Sequence, residues 1–146
     1  MALEIERKFL VTDDSYKSLA QSKIDIIQGY LSIDPDRTVR IRICGQRAYL
    51  TIKSRNHGSV RGEWEYPIPL TDARELLHLA KNCLSKTRYM VGRWEIDEFH
   101  ERHEGLVLAE IELKDPDELF GIPAFIGREV TDDPQYYNSV IASRGE

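Results

Sequence analysis

The sequence predicts an α+β protein built on an antiparallel sheet of about eight strands, with helices packed against its outside. Two observations predict this fold. Most of the chain consists of short segments in which apolar and polar residues alternate, and turn residues join these segments in hairpin order. Helix signals are confined to a few places. A chain of 146 residues can bury one continuous core, so residues 1–146 are expected to form a single domain.

The first half of the chain contains most of the predicted strands. The opening stretch LEIERKF alternates from its start, and Asp13 or Asp14 then caps a short helix that runs to about Gln21. Gly45-Gln46 is the predicted turn of a hairpin whose two strands alternate cleanly. The predicted strands after the helix are 26–33, 37–44, 47–54 and 60–68.

The second half begins with a helix from Thr71 or Asp72 to residue 82, in which leucines follow helical spacing. A second hairpin is predicted to turn near Gly92. Its strands are 84–93 and 94–102, the last long strand is 106–114, and a helix from about 134 to 142 closes the chain.

Composition excludes several classes of protein. The net charge of −5 argues against a general nucleic-acid binder, which normally has a basic excess. No apolar stretch is long enough to span a membrane, and the acidic N-terminus lacks a signal-peptide core. Cys44 and Cys83 are far apart in sequence and are expected to be core thiols in a reducing compartment. The expected location is therefore the cytoplasm.

Charged residues recur on one face of nearly every predicted strand. Successive side chains of a strand point to opposite sides, so Glu4, Glu6 and Lys8 share a face of the opening strand. The corresponding sets on later strands are Arg40 and Arg42; Thr51 and Lys53; Glu63 and Glu65; Lys86 and Arg88; Glu95, Asp97 and Phe99; and Glu110, Glu112 and Lys114. The opposite faces are mainly apolar.

This pattern has two interpretations. The charged faces either lie in water, as in an ordinary half-buried sheet, or point together into an enclosed space. Threonine, serine and glutamine serve a wet face equally well, so charge on this many strands favours enclosure. Enclosed charges are costly unless they are paired or bind a charged ligand, and the mixture of acids and bases meets part of that need.

The charged residues suit a ligand composed of a metal ion and phosphates. Guanidinium and ammonium groups donate to phosphate oxygens, and Arg40, Arg42, Lys53, Lys86 and Arg88 supply them. Carboxylates bind Mg²⁺ or Mn²⁺, and Glu110 and Glu112 supply them together with Glu4 and Glu6. Mg²⁺ is usually held by one or two carboxylates plus substrate phosphates, so the mixture describes a metal–polyphosphate site better than a bare cation site.

The order of these residues resembles the CYTH domain family, also known as the triphosphate tunnel metalloenzymes. Glu4-x-Glu6-x-Lys8 is similar to the ExExK signature of that family and lies in the context EIERKFLV. The elements that follow in order are Arg40-x-Arg42, LTIK at 50–53, Glu63-x-Glu65, KTRY at 86–89 and EIEL at 110–113. The closing stretch GREVTDDPQYYNSVIA resembles the end of the short bacterial members. The resemblance covers nearly the whole chain.

The resemblance implies an eight-stranded antiparallel β-barrel, a tunnel with a polar, charged interior and helices packed outside. It implies that Lys8, Arg40, Arg42, Lys53, Lys86 and Arg88 bind the triphosphate. It implies metal ligands at Glu110 and Glu112, with Glu4 and Glu6 on the second side of the site. Glu63, Glu65, Asp97 and Lys114 are expected to complete the tunnel lining.

The expected reaction is Mg²⁺- or Mn²⁺-dependent hydrolysis of a terminal phosphoanhydride, with Glu4, Glu6 and Lys53 as catalytic residues. Inorganic tripolyphosphate is the preferred candidate substrate, because no feature of the sequence is specialised for binding a nucleobase or thiazolium ring. Trp64, which could stack on such a ring, is expected to pack under a helix. The alternatives are hydrolysis of thiamine triphosphate or nucleoside triphosphates, cyclisation of ATP, and non-catalytic binding of polyphosphate or nucleotides. The expected partner is a small anionic triphosphate, with no nucleic acid or membrane. A homodimer is compatible with the sequence.

Overall fold

The computed structural model of the protein describes residues 2–144. Its strands are β1 (Leu3–Val11), β2 (Ser22–Ser32), β3 (Thr38–Cys44), β4 (Arg47–Lys53), β5 (Val60–Ile68), β6 (Asn82–Val91), β7 (Trp94–Phe99), β8 (Val107–Glu112) and β9 (Ile126–Glu129). Its α-helices are α1 (Tyr16–Leu19), α2 (Leu70–Leu79) and α3 (Asn138–Ser143), and short 3-10 turns span Glu101–His103 and Pro134–Tyr136. Within residues 2–144, no helix is long and apolar enough to cross a bilayer.

The strands form an antiparallel sheet that closes on itself. The order of hydrogen-bonded neighbours is β5-β4-β3-β2-β6-β7-β8-β1-β9, and an additional pairing of β5 with β1 closes the first eight into a barrel. Leu3 lies opposite Gly62 at this junction, whereas Glu6 to Leu10 pair with β8 on the other edge of β1. The predicted eight-stranded antiparallel β-barrel is confirmed.

The hairpins have the turns that the sequence predicted. Gly45 and Gly92 adopt φ angles of 59° and 58°, in the left-handed region that glycine enters without a steric penalty. Both turns are short, so they set the register of β3 with β4 and of β6 with β7. The alternation of each strand consequently places one face of every hairpin inside the barrel.

The outward apolar faces are covered by α1 and α2. Tyr16 of α1 belongs to a cluster with Phe9, Trp94 and Ile111 on the outside of β1, β7 and β8. Ala73 of α2 packs on Ile41 and Ala48 outside β3 and β4, and is itself fully buried. The prediction that helices pack outside the barrel is therefore correct for these two helices.

The helix α3 packs on inward-facing residues instead. Its Ile141 and Ala142 join a buried cluster of side chains from β2, β6, β7 and β8: Tyr30, Leu84, Phe99 and Leu108. Leu84 and Leu108 each lie two residues from an inward charged residue, Lys86 and Glu110, and so share its face of the strand. The barrel interior is therefore apolar where α3 packs and charged beyond that region.

Several boundaries differ from the prediction. The strand β9, which pairs with β1 through Phe9 and Val11, was not predicted because four residues carry too little alternation. The α2 helix ends at Leu79 because Ala80 is extended, and the single helix predicted for 134–142 is a 3-10 turn and α3 separated by an extended Tyr137. Trp64 is 40% exposed rather than packed under a helix, and its ring lies over Gly62.

The close contact between α2 and β2 requires a glycine at position 29, and this requirement can be tested. A Cβ at Gly29 would lie 2.8 Å from the Ala80 Cβ and 2.8 Å from the Leu77 Cδ2. We expect Gly29→Ala to lower the free energy of unfolding by roughly 1–3 kcal/mol through overpacking, measured by urea denaturation. Gly121→Ala is the matched control, since a Cβ there meets nothing within 4 Å, and should change stability by less than about 1 kcal/mol. Equal effects of the two substitutions would contradict this account of the contact.

Candidate active site

A charged cavity of about 250 Å³ lies inside the barrel. Twelve of the residues singled out in the sequence line it: Glu4, Glu6, Lys8, Arg40, Arg42, Lys53, Glu63, Glu65, Lys86, Arg88, Glu110 and Glu112. Arg61 and Glu95 also line it, which brings the charged lining to seven basic and seven acidic side chains. Charged faces of separate strands therefore meet in one enclosed space, as the interpretation of an enclosed site requires.

The strand register brings the charged residues together. Lys8 of β1 lies opposite Glu110 of β8, and Glu110 lies opposite Glu95 of β7. Lys53 of β4 lies opposite Glu63 of β5 in the same way. Because directly opposed residues on one face have closely spaced Cβ atoms, closure of the barrel places acids beside acids and bases beside acids at fixed positions.

Three carboxyl groups converge on one side of the cavity. One oxygen from each of Glu6, Glu95 and Glu110 lies within 4.8 Å of the others. Burial, with the negative charges of Glu110 and Glu4, raises the pKa of Glu6 well above its usual value. Burial would also raise the pKa of Glu110, but the Lys8 ammonium, 3.6 Å away, and a hydrogen bond from Glu6 hold it well below its usual range. Of this hydrogen-bonded pair, Glu6 is therefore the carboxyl group that takes up a proton more readily, and Glu110 is the one that favours its ionised form.

Lys53 lies between two further carboxylates. Its Nζ donates to the Glu4 Oε1 at 3.0 Å and is 3.4 Å from the Glu63 Oε2. Burial would raise the pKa of Glu4, yet the charge and hydrogen bond of Lys53 outweigh it and the pKa is lowered. Glu4 is consequently ionised at neutral pH, and its pKa is shifted in the opposite direction from that of Glu6.

A buried ion cluster lies beside the three carboxyl groups, since the Arg88 Nη1 also donates to the Glu95 Oε2 at 3.2 Å. The Asp97 carboxylate accepts from Arg88 at 2.8 and 2.9 Å and from the Lys86 Nζ at 2.7 Å. Burial would raise its pKa, but these two cations lower the pKa of Asp97 to about 2. Asp97 was expected to line the tunnel; it is instead fully buried behind Lys86 and Arg88, because both cations reach across its oxygens.

The arginine pair beside this cluster is incompletely bonded. The Arg42 Nε donates to the Gln28 Oε1 at 3.2 Å, and the Arg40 Nη2 donates to the Thr51 Oγ1 at 3.3 Å. Burial, together with the charges of Arg40 and Arg88, lowers the pKa of Arg42 to about 10. The buried Arg40 Nε has no hydrogen-bond partner among residues 2–144. Clustered cations with an unused donor are suited to binding an anion.

Lys86 has a different character from the other cavity bases. Burial lowers its pKa to about 7, and the charges of Arg88 and Arg42 lower it as well, against the opposing effect of Asp97. Its Nζ donates to Asp97 and, at 2.7 Å, to the Asn138 Oδ1 of α3. Lys86 is thus the cavity base that exchanges a proton most readily near neutral pH.

Two residues predicted to line the tunnel, Asp97 and Lys114, lie outside the lining, and other lining residues were not predicted. Lys114 is exposed and lies outside the cavity, because β8 ends at Glu112 and Lys114 lies two residues beyond that end. Glu95 was placed on the face of Asp97 but was not chosen as a site residue, although its alternation was the available signal. Tyr30 and Asn138 also line the cavity. Nothing in the sequence pattern links a residue of the last helix to the barrel interior.

Comparison with known proteins identifies close relatives of this chain. Residues 2–137 match the family model described as the CYTH domain. An inorganic triphosphatase of Acetivibrio thermocellus is 46% identical over 145 residues, covering 95% of this chain and 92% of that protein. An inorganic triphosphatase of Nitrosomonas europaea is 33% identical over 149 residues, covering 95% of this chain and 96% of that protein.

A solved structure agrees with the fold. The crystal structure of an inorganic triphosphatase superposes with a TM-score of 0.67 at 32% identity, covering 95% of this chain and 97% of that chain.

The buried ion cluster can be tested by removing its anion. We expect Asp97→Asn to lower the free energy of unfolding by about 3–5 kcal/mol, since the change leaves Lys86 and Arg88 enclosed without their counter-charge. Asp36→Asn, which removes an exposed carboxylate beside Arg55, should leave the urea midpoint unchanged. An Asp97→Asn protein as stable as the wild type would show that the cluster does not contribute to folding.

Proposed function

Because this chain belongs to the CYTH domain family, we propose that it is a triphosphatase that hydrolyses inorganic tripolyphosphate to pyrophosphate and phosphate inside its barrel. The observation that carries the proposal is the enclosed cavity in which cations with unused donor capacity face a group of three carboxyl groups. The names of two relatives, at 46% and 33% identity, support the same substrate. We propose further that the whole chain forms one domain of this family.

The cavity lining favours an inorganic substrate over an organic one. Of the tryptophans, Trp64 lies on the outside of β5 and Trp94 is buried in the outer core. The aromatic side chains that line the cavity are Tyr30 and Tyr137, and most of the remaining lining is charged. Within residues 2–144 the cavity therefore offers phosphate-binding groups but no broad apolar platform for a nucleobase or thiazolium ring.

The acidic group has the chemistry of a divalent metal site. Three carboxyl oxygens within 4.8 Å of one another repel when ionised, as the raised pKa of Glu6 indicates, and a cation removes that repulsion. We propose that Glu6, Glu95 and Glu110 hold Mg²⁺ or Mn²⁺, with Glu4 and Glu112 beside them. When bound, such an ion supplies neutralising charge to the phosphates and lowers the pKa of a coordinated water. The seven bases and seven acids of the lining balance each other, so a triphosphate that enters with a divalent cation disturbs the charge less than a bare anion does.

The side chains that line the cavity have different proposed roles in the reaction. Arg40, Arg42 and Arg88 bind phosphate oxygens, as do Lys8 and Lys53, and they stabilise charge on the leaving pyrophosphate. Glu4, kept ionised by Lys53, orients the attacking water by accepting a hydrogen bond from it. The water oxygen bonds to the terminal phosphorus while the bond to the bridging oxygen breaks, which releases pyrophosphate and phosphate.

Lys86 is the proposed acceptor of the water proton. A neutral amine retains two N–H groups for Asp97 and Asn138 and one lone pair for the proton. The pKa of about 7 keeps a large share of this amine neutral at physiological pH before substrate binds. Glu6, whose pKa is raised, would serve as a metal ligand in its ionised form.

The cellular location of the protein is proposed from its cysteines. Cys44 and Cys83 are both free thiols, which is usual in the reducing cytoplasm. We therefore place the enzyme there.

The proposed activity is tested by phosphate release from tripolyphosphate, pyrophosphate, ATP and thiamine triphosphate, each with Mg²⁺ or Mn²⁺ and after chelation. We expect tripolyphosphate to be the best substrate and chelation to abolish turnover. We expect Glu110→Gln to lower kcat by at least about 100-fold, because it removes a proposed ligand and the anion that balances Lys8.

The control for this variant is Glu104→Gln, an exposed position outside the cavity, which should retain wild-type turnover. Turnover that survives complete chelation would refute the metal-dependent mechanism. Preference for an organic triphosphate would refute the substrate assignment.

The role of Lys86 predicts a particular pH dependence. A lysine pKa lowered to about 7 means that the neutral amine accumulates as pH rises through 7, so kcat/KM should increase across that range and then level off. Lys86→Arg keeps a permanent cation in the cavity, so the increase due to this group should disappear and kcat should fall. Both proteins are measured on the same substrate at saturating metal, because the phosphates titrate as well. An unchanged rising limb in Lys86→Arg would exclude Lys86 as the proton acceptor.

A further inference from the structure

The C-terminal segment contributes directly to the cavity. Asn138, the first residue of α3, lines it, and its Oδ1 accepts hydrogen bonds from the Lys86 Nζ at 2.7 Å and from the Gln28 Nε2 at 3.0 Å. Two residues earlier, the carbonyl oxygen of Tyr136 accepts from the Lys8 Nζ at 2.8 Å. Two inward-facing lysines on different strands are therefore held by acceptors from one short segment.

Asn138 also belongs to a buried chain of hydrogen bonds. Gln28 is fully buried, and its amide nitrogen donates both to Asn138 and to the Tyr30 hydroxyl at 2.9 Å. Its amide oxygen accepts from the Arg42 Nε at 3.2 Å. Through Gln28, the position of Asn138 is coupled to Tyr30 and Arg42, two further lining residues.

The two acceptors of Lys86 restrict where its nitrogen can point. A tetrahedral nitrogen bound to its own Cε has three remaining positions, and Asp97 and Asn138 occupy two of them. The third remains for a molecule in the cavity that Lys86 lines. The Phe99 ring, with its centroid 5.5 Å from the nitrogen, adds an apolar neighbour to this environment.

Asn138 is the neutral member of a strongly charged environment. The charged groups that act on Lys86 are Asp97 of β7, Arg88 of its own strand β6, Arg42 of β3 and Glu110 of β8. An asparagine oxygen accepts a hydrogen bond without adding a full negative charge. It can thus direct the Lys86 nitrogen while leaving the balance between its ammonium and amine forms to the surrounding ions.

We propose that Asn138 is a positioning residue for this reaction: its side-chain oxygen directs the Lys86 nitrogen toward the substrate and couples the docking of α3 to the assembly of the site. The inference rests on the proposed function for its kinetic consequence. Simple anchoring of α3 does not account for the contact, since Ile141 and Ala142 already bury that helix against the barrel. An apolar residue at position 138 would anchor the helix as well without binding Lys86.

The first test replaces the oxygen with an apolar group of similar size. We expect Asn138→Leu to lower kcat for tripolyphosphate by roughly 10-fold or more, because a reacting group misplaced by about 1 Å can cost about 100-fold. The KM should change less than kcat, since Gln28 keeps its hydrogen bonds to Tyr30 and Arg42 when Asn138 is replaced. Ser143→Ala, on the same helix but outside the cavity, is the control and should retain wild-type kcat. Wild-type kcat in Asn138→Leu would overturn the proposal, as would a loss that tracks only a lower melting temperature.

The second test has a readout that does not depend on turnover. The pKa of Lys86 is measured by NMR titration of its ¹³Cε signal, assigned with Lys86→Arg, in the wild type and in Asn138→Asp. The added carboxylate should raise the pKa of Lys86 and move the rising limb of kcat/KM to higher pH. Identical titrations would overturn the proposed contact. If the NMR shift appears while no triphosphate is hydrolysed by the wild type, the contact stands and the proposed function fails.

Discussion

The structure depends on the pairing of β1 with β5, because this contact closes the sheet and turns its charged face inward. Closure arranges fourteen charged side chains, equally divided between acids and bases, around one cavity, and all of them except Glu65 and Glu112 are buried or half-buried. Enclosed charges of this kind are tolerated only when each has a counter-charge or hydrogen-bonding partner. The ion pairs of Lys53 with Glu4, of Lys8 with Glu110 and of Arg88 with Asp97 meet that requirement. What these pairs do not remove is the mutual repulsion of Glu6, Glu95 and Glu110, and the Nε of Arg40 has no partner among the described residues, so the cavity retains capacity to bind a charged ligand.

The interior of the barrel combines two environments that are usually kept apart. On the inward face of β8, Leu108 packs against α3 and Glu110, two residues later, lines the charged cavity. An apolar region therefore lies next to the charged cavity. Low polarity at that end strengthens electrostatic effects on nearby groups. Lys86 lies at the boundary of these two regions. Burial lowers the pKa of Lys86, Lys8 and Arg88 alike, but neighbouring carboxylates outweigh it at Lys8 and Arg88, whereas the charges of Arg88 and Arg42 add to it at Lys86. The same boundary brings Asn138 within reach of the site.

Much of the candidate site follows from strand alternation, and the exceptions have identifiable causes. The predictions assigned the correct strand face to Glu4, Glu6, Arg40 and Arg42, because alternation with a two-residue period is enough to assign a residue to a face. Lys114 was misplaced because the period was extended past the end of β8. Alternation also cannot separate Asp97 from Glu95, two residues apart on one face. Asp97 lies behind the cavity lining because Arg88 and Lys86 reach across its carboxylate, whereas Glu95 lines the cavity.

Three features could be predicted before folding was considered: which face of each strand is charged, where the main hairpins turn and which family the chain resembles. All three depend only on short-range spacing and residue order. Only the folded structure shows that β1 pairs with β5 to close the sheet, that three carboxyl groups from β1, β7 and β8 meet, and that a helix from the end of the chain contacts Lys86. These contacts join residues far apart in sequence. Their formation depends on the register, twist and closure of the whole sheet, which no local pattern specifies.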